Sequence, residues 1–75
     1  MRTVESTLAG RDLVAVNQAL DALEAHDLRL GRAAVLRIYG GMRFREMAPL
    51  LRVKERQARN LYVEAIDWLK SYLDR

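Results

Sequence analysis

Residues 44–66 of the chain read FREMAPLLRVKERQARNLYVEAI, and this stretch decides the fold. Two segments with helical apolar spacing are joined across residues 51–54, and the second segment opens with a polar, largely basic run. The pattern fits two structures: a helix-turn-helix directed at DNA, or a plain bend between two helices of a small bundle. The residues around the junction and the charge distribution bear on which of the two structures forms.

The first of the two segments, residues 44–51, presents one apolar face made of Phe44, Met47, Ala48 and Leu51. Pro49 lies well inside it. A proline ring removes one backbone donor and crowds the preceding turn, at a cost of about 3 kcal/mol in a regular helix interior. We therefore expect a kinked or loosened helix here.

The second segment predicts a long helix from Glu55 to about Leu73. Trp68 and Tyr72 add an aromatic edge, which we interpret as core packing rather than a partner-binding edge. The positions expected to face inward are Ala58, Leu61, Tyr62, Ala65, Leu69 and Leu73.

Two further helices are predicted upstream. The first is indicated by one apolar stripe from Leu13 to Leu23 and places His26 near its end. Asp27 can cap a second helix that runs through Tyr39, and the pair Gly40-Gly41 supplies left-handed residues to end it. With no strand-period segment, the fold class is all-α: a small bundle of about four helices containing a helix-turn-helix, spanning residues 13–75 behind a disordered segment 1–12.

The composition excludes several kinds of chemistry. The 75 residues contain no cysteine and one histidine, so neither a disulfide framework nor a thiolate zinc site is available, and we expect no metal or other cofactor. No nucleophile and base are paired, and the acidic residues read as ordinary exposed helical side chains, so we expect no enzyme activity. The apolar runs are too short to cross a bilayer, which indicates a soluble, cytoplasmic protein without membrane contact.

The charge distribution favours a phosphate-binding surface. The formal net charge is +3, but six basic residues fall between positions 43 and 59. A helix-turn-helix also needs a small residue where its helices meet and a turn residue that tolerates the left-handed conformation, and Ala48 and Arg52 occupy these positions. Forcing an arginine to positive φ costs on the order of 1 kcal/mol.

The outward face of the last helix carries side chains suited to DNA. Arginine pairs with guanine, asparagine and glutamine pair with adenine, and valine can touch a thymine methyl group. Lys54 precedes the helix, where a cation opposes the helix dipole unless a phosphate lies between them. The outward set is Arg56, Arg59, Asn60 and Val63, with Gln57 and Glu64 at its margins.

The stretch from about Asn17 to Leu73 resembles region 4 of bacterial sigma factors, particularly the extracytoplasmic-function group. The resemblance rests on the order and ungapped spacing of four motifs. These are ALDALEAHD at 19–27, LRIYGG at 36–41, FREMA at 44–48 and LRVKERQAR at 51–59. Domains of this family read the upstream (minus-35) promoter element and dock on the β-subunit flap of RNA polymerase.

The resemblance implies a DNA-binding site and its partners. Arg59, Asn60, Val63 and Glu64 would face the bases. Lys54, Arg56 and Gln57 would hold the phosphate backbone, and Arg43 would assist from the third helix. The expected partners are promoter DNA, core RNA polymerase through its β-subunit flap, and an anti-sigma factor. Because no segment resembles sigma region 2, we expect either a fragment of a longer sigma factor or a stand-alone module.

A different function class stays open: a degenerate region 4-like module that binds polymerase, an anti-sigma factor or its own copy without binding DNA. Glu64 and Asp67 favour it, because both would repel phosphate if the helix lay deep in the groove. The two hypotheses predict different behaviour with salt, since phosphate contacts on DNA release condensed counterions.

Overall fold

Helices account for nearly all of residues 13–74, the part of the chain that this computed structural model describes. They are α1 (Leu13–His26), α2 (Leu28–Ile38), α3 (Phe44–Leu51) and α4 (Glu55–Leu73). No strand occurs among these residues, so the all-α bundle of four helices is confirmed. The disordered segment predicted for residues 1–12 lies outside the described residues.

Local signals set the boundaries of α2. Asp27 caps it by accepting hydrogen bonds from the backbone N–H groups of Arg29 (3.0 Å) and Leu30 (3.3 Å), as predicted. At the other end only Gly41 is left-handed, with φ at 61°, so the expectation for the glycine pair is half wrong. Gly40 is needed for another reason: a Cβ there would lie 2.5 Å from the carbonyl oxygen of Leu36.

A Schellman turn ends α3. Arg52 has φ 58° and ψ 45°, which confirms the predicted left-handed conformation. Its N–H donates to the carbonyl of Pro49 (3.3 Å), and the N–H of Val53 donates to the carbonyl of Ala48 (3.0 Å). The helix continues through Pro49 to Leu51, and a kink at the proline stays a prediction. Pro49 is exposed to solvent.

The main hydrophobic core lies between α1, α2 and α4. Every inward position predicted for α4 is buried or half-buried, and Ile66, which the pattern missed, is buried as well. The buried members of this core are Val16, Ala19, Leu20, Leu23, Leu30, Ala34, Tyr62, Ala65, Ile66 and Leu69.

A second, smaller core attaches α3 to the bundle. Its buried residues are Ala33, Met47, Ala48, Leu51 and Ala58, and Phe44 and Leu61 pack against both cores. The three alanines let the backbones of α2, α3 and α4 approach closely where α3 is seated. None of the helices in residues 13–74 combines the length and apolar character that a bilayer crossing needs.

Two contacts fix how α2 meets its neighbours. At Gly31 a Cβ would lie 2.9 Å from the Cα of Glu24, so only glycine allows α1 and α2 to cross this closely. At the other end of α2, the guanidinium of Arg37 lies 4.6 Å from the ring centroid of Phe44 and 5.9 Å from that of Tyr62. Arg37 also donates a hydrogen bond to the carbonyl of Met42 (2.9 Å) and thereby ties the α2–α3 loop back to α2.

Candidate nucleic-acid interface

The start of α4 positions the predicted DNA-binding side chains. Lys54 is the N-cap in extended backbone (φ −80°, ψ 160°), and its N–H donates to Oε1 of Gln57 (2.9 Å). The lysine ammonium has only donors, so this bond is the one side-chain contribution to the cap. Gln57 therefore uses one acceptor site of its carbonyl oxygen within the protein, and its amide NH₂ group stays available to a ligand.

The start of α3 repeats this arrangement. Arg43 is the N-cap, and its N–H donates to Oε1 of Glu46 (2.8 Å). Both helices of the α3–α4 pair thus open with a basic residue at the position where exposed backbone N–H groups favour an anion. The cap bonds hold the backbone of Arg43 and Lys54 while their charged ends extend outward.

Every predicted DNA-binding residue is exposed to solvent, and Val63, the one apolar member, is 48% exposed. Within the described residues, the charged ends of Lys54, Arg56 and Arg59 form no ion pair or side-chain hydrogen bond. Their interactions are therefore available to an external ligand. The predicted site residues are Arg43, Lys54, Arg56, Gln57, Arg59, Asn60 and Val63, and Glu64, which the resemblance also places toward the bases, is exposed as well.

The outward residues of α4 do not all lie in one row along the helix axis. At roughly 100° per residue, Arg56, Asn60 and Val63 fall in one row along the helix, while Arg59 is turned to one side of that row. Glu64 is turned to the opposite side and faces α2, where it lines a cavity with Asn60. The row therefore begins basic, and its carboxylates lie further along the helix.

Gln57 and Asn60 share a concave site with a residue that sequence reasoning missed. The cavity measures about 220 Å³ and lies between α4 and the start of α2, with Arg29 as its wall on the α2 side. No sequence signal places Arg29 there, because its position depends on how α2 crosses α4. The lining residues are Arg29, Val53, Gln57, Asn60, Leu61 and Glu64. The cavity therefore brings together Gln57, Asn60 and Glu64 of the predicted residues but not Arg43, Lys54, Arg56, Arg59 or Val63.

Two further cavities lie along α2 and together form a groove, whose first part shares Arg29 with this cavity. Its first part, about 380 Å³, is lined by Arg29, Arg32, Leu50, Leu51 and Arg52. Its second part, about 360 Å³, is lined by Glu24, Arg32, Val35, Leu36, Leu50 and Leu51. Leu50, which is 57% exposed, stands where the two parts meet. The groove is therefore cationic near α4 and apolar at the other end.

An aromatic stack lies away from this surface. The ring centroid of Trp68 is 5.4 Å from that of His26, which ends α1 as predicted, and 5.2 Å from that of Tyr72. Trp68 and Tyr72 are half-buried against the main core, which agrees with the core-packing interpretation. Within residues 13–74, no cluster of three histidine, aspartate or glutamate side chains could hold a metal ion.

Comparison of the chain with protein-family models, curated proteins and solved structures finds no significant match. The geometry and the sequence motifs are therefore the basis for any function assigned to this surface.

Proposed function

We propose that this chain is a DNA-binding domain of the sigma region 4 type, which recognises the upstream promoter element and contacts RNA polymerase during transcription initiation. In this proposal α3 and α4 act as a helix-turn-helix, and α4 enters the major groove.

One observation carries the proposal: a left-handed turn at Arg52 is followed directly by a helix whose exposed first half is basic and amide-rich. A plain bend between bundle helices would not need this combination. Solvated surfaces tolerate arginines, but they gain nothing from a strained turn that presents them beside a helix N-terminus.

The exposed residues divide between base reading and anchoring. Arg59 and Asn60 are proposed to read base edges, with Val63 against a thymine methyl group. Because consecutive helical residues diverge by roughly 100°, Arg59 and Asn60 reach different base pairs. Lys54, Arg56 and Gln57 are proposed to hold phosphates near the helix N-terminus, and Arg43 does the same from α3.

The acidic residues limit how α4 can lie in the groove. Glu64 and Asp67 follow the basic residues by one to two turns, and both are exposed. A phosphate backbone close to them would be repelled. The N-terminal half of α4 therefore approaches the bases, and the C-terminal half tilts away from the DNA.

A protein-interaction function is the second candidate, and the exposed Leu50 favours it. The groove beside Leu50 has Val35 and Leu36 as an apolar wall, and this combination suits a helix from a protein partner. The β-subunit flap, an anti-sigma factor or a second copy of the chain are the partners that the family resemblance implies. If the chain binds DNA, this surface contacts polymerase while α4 binds the DNA. If the chain is a protein-interaction module, this surface binds its partner and α4 binds no DNA.

Two substitutions test the division of roles on α4. Arg59→Ala should cost about 1 to 3 kcal/mol in binding and relax discrimination at one base pair. Lys54→Ala should weaken binding to all sequences alike and make the salt slope shallower by about one unit. Fluorescence anisotropy on a panel of promoter duplexes measures both effects, and Lys70→Ala, on the far half of α4, serves as the control.

Loss of discrimination in the lysine variant, or uniform weakening in the arginine variant, would reverse these roles. If neither variant changes binding while Lys70→Ala does, the N-terminal half of α4 is not the DNA-binding surface.

A further inference from the structure

Three arginines line the cationic part of the groove, and no carboxylate lines it. Arg29 and Arg32 come from the first two turns of α2, Arg52 comes from the α3–α4 turn, and the remaining lining residues are Leu50 and Leu51. Arg52 lies 20 or more positions from the two arginines of α2 in the sequence, so the fold brings the three residues together.

The cleft concentrates positive charge at one place on the surface. Arginine does not deprotonate in proteins, so three positive charges face one cleft of about 380 Å³. Within residues 13–74 their guanidinium groups form no ion pair, and the carboxylates nearest to the cleft, Glu24 and Glu64, line the adjoining cavities. Arg52 also occupies a left-handed conformation that glycine would adopt without strain.

We propose that Arg29, Arg32 and Arg52 form a second anchor for the DNA backbone and bind the phosphate groups of the strand that runs on the α2 side of α4. This inference rests on the proposed DNA-binding function and extends it to a surface outside the α3–α4 pair. The planar guanidinium fork of each arginine can bind phosphate oxygens in a bidentate fashion.

The position of the cleft identifies DNA as the source of the phosphates. Arg29 lines both this cleft and the neighbouring cavity that contains Gln57 and Asn60. The cleft therefore adjoins the cavity that contains Asn60, one of the residues proposed to reach base edges. A helix in the major groove has a phosphate backbone on each side, and this cleft lies beside one flank of α4.

An acidic helix of a protein partner is the competing occupant, because Leu50 and Leu51 also line the cleft. Phosphate accounts for the observations better, since the cationic part has three charges and only one well-exposed apolar side chain. Binding of a protein partner would depend on the apolar side chain of Leu50, whereas binding of a DNA backbone would not.

The central test compares salt slopes for binding to a fluorescein-labelled promoter duplex. The double variant Arg29→Gln and Arg32→Gln should make the slope shallower by about two units and weaken cognate and scrambled duplexes equally. Lys70→Gln is the matched control for loss of charge and should leave the slope unchanged. Arg52→Gly should lower the slope by about one unit although it relieves the turn, so weaker binding by that variant cannot be attributed to unfolding.

The remaining outcomes separate this inference from the proposed function. Unchanged slopes in both variants, with clear binding by the natural chain, would overturn the second anchor and leave the proposed function intact. If the natural chain binds no duplex, the proposed function fails, and the DNA backbone is overturned as the occupant.

A protein occupant is tested separately with an acidic amphipathic peptide. Peptide binding that is lost in a Leu50→Ala variant, together with DNA binding that does not respond to the arginine substitutions, would assign the cleft to a protein partner. Peptide binding that is absent or insensitive to Leu50→Ala supports phosphate as the ligand. Helical circular dichroism of each variant confirms that it is folded.

Discussion

Arg52 adopts a strained backbone conformation, and within the described residues its side chain forms no ion pair or hydrogen bond that would offset the strain. Its φ of 58° lies in the left-handed region, which glycine adopts without penalty. Arg52→Gly should therefore raise the free energy of unfolding by about 1 kcal/mol, because relief of the turn exceeds the added flexibility of the unfolded chain. Thermal unfolding measures the change, and Arg52→Ala, which keeps the Cβ, should not stabilise the domain. A glycine variant clearly less stable than the natural chain would contradict this view of the turn.

Arg37 acts on the fold through the shape of its guanidinium. The group lies over Phe44 at 4.6 Å and donates to the carbonyl of Met42. Arg37→Lys keeps the charge but loses the planar stacking and the fork of donors, so we expect a loss of about 1 kcal/mol in urea unfolding. Arg37→Gln should show a similar loss. Equal stability of the lysine variant and the natural chain would mean that charge alone accounts for the role of Arg37.

At the scale of helices, the close crossing of α1 and α2 depends on Gly31. Alanine favours a helix interior by up to about 1 kcal/mol over glycine, yet its Cβ here would lie 2.9 Å from the Cα of Glu24. Overpacking of this kind typically costs 1 to 3 kcal/mol, so Gly31→Ala should destabilise the domain by about 1 kcal/mol net. Chemical denaturation tests this. Ser71→Ala, at an exposed position of α4, should change little, and a more stable Gly31→Ala variant would show that the crossing can relax.

The helices themselves could be predicted from the sequence because their signals are local. Apolar spacing and the Asp27 cap gave four helices close to the observed bounds. Ile66 was missed because α4 packs against three helices, so its buried arc is wider than a single stripe. Gly31 gave no signal either, since the need for glycine arises only where α1 approaches α2.

The candidate site was predictable in one part and not in another. The outward residues of α4 follow from helical periodicity, and all of them are exposed. Arg29 and Arg32 could not be assigned, because on α2 alone they are ordinary surface arginines. They become part of a cleft only when α2 lies beside the turn that carries Arg52.

At the scale of the whole molecule, the two cores give α3 and α4 different supports. The described residues measure 32 × 30 × 17 Å, and α4 runs through the main core while α3 is held by the smaller, alanine-rich core. The helix proposed to read the bases, α4, is thus the one that packs into the main hydrophobic core. Basic residues gather around the α3–α4 turn and the start of α2, so positive charge is concentrated where the proposal places DNA.

The DNA-binding function is tested by the salt dependence of binding between the folded chain and duplex DNA. Fluorescence anisotropy between about 50 and 200 mM salt should give a logarithmic slope of about −3 or steeper, since at least three phosphate contacts are proposed. Binding should also be tighter for an upstream promoter element than for a scrambled duplex of the same length. Absent or salt-independent binding by a chain that circular dichroism shows to be helical would contradict the DNA-binding function and leave the protein-interaction module as the better account.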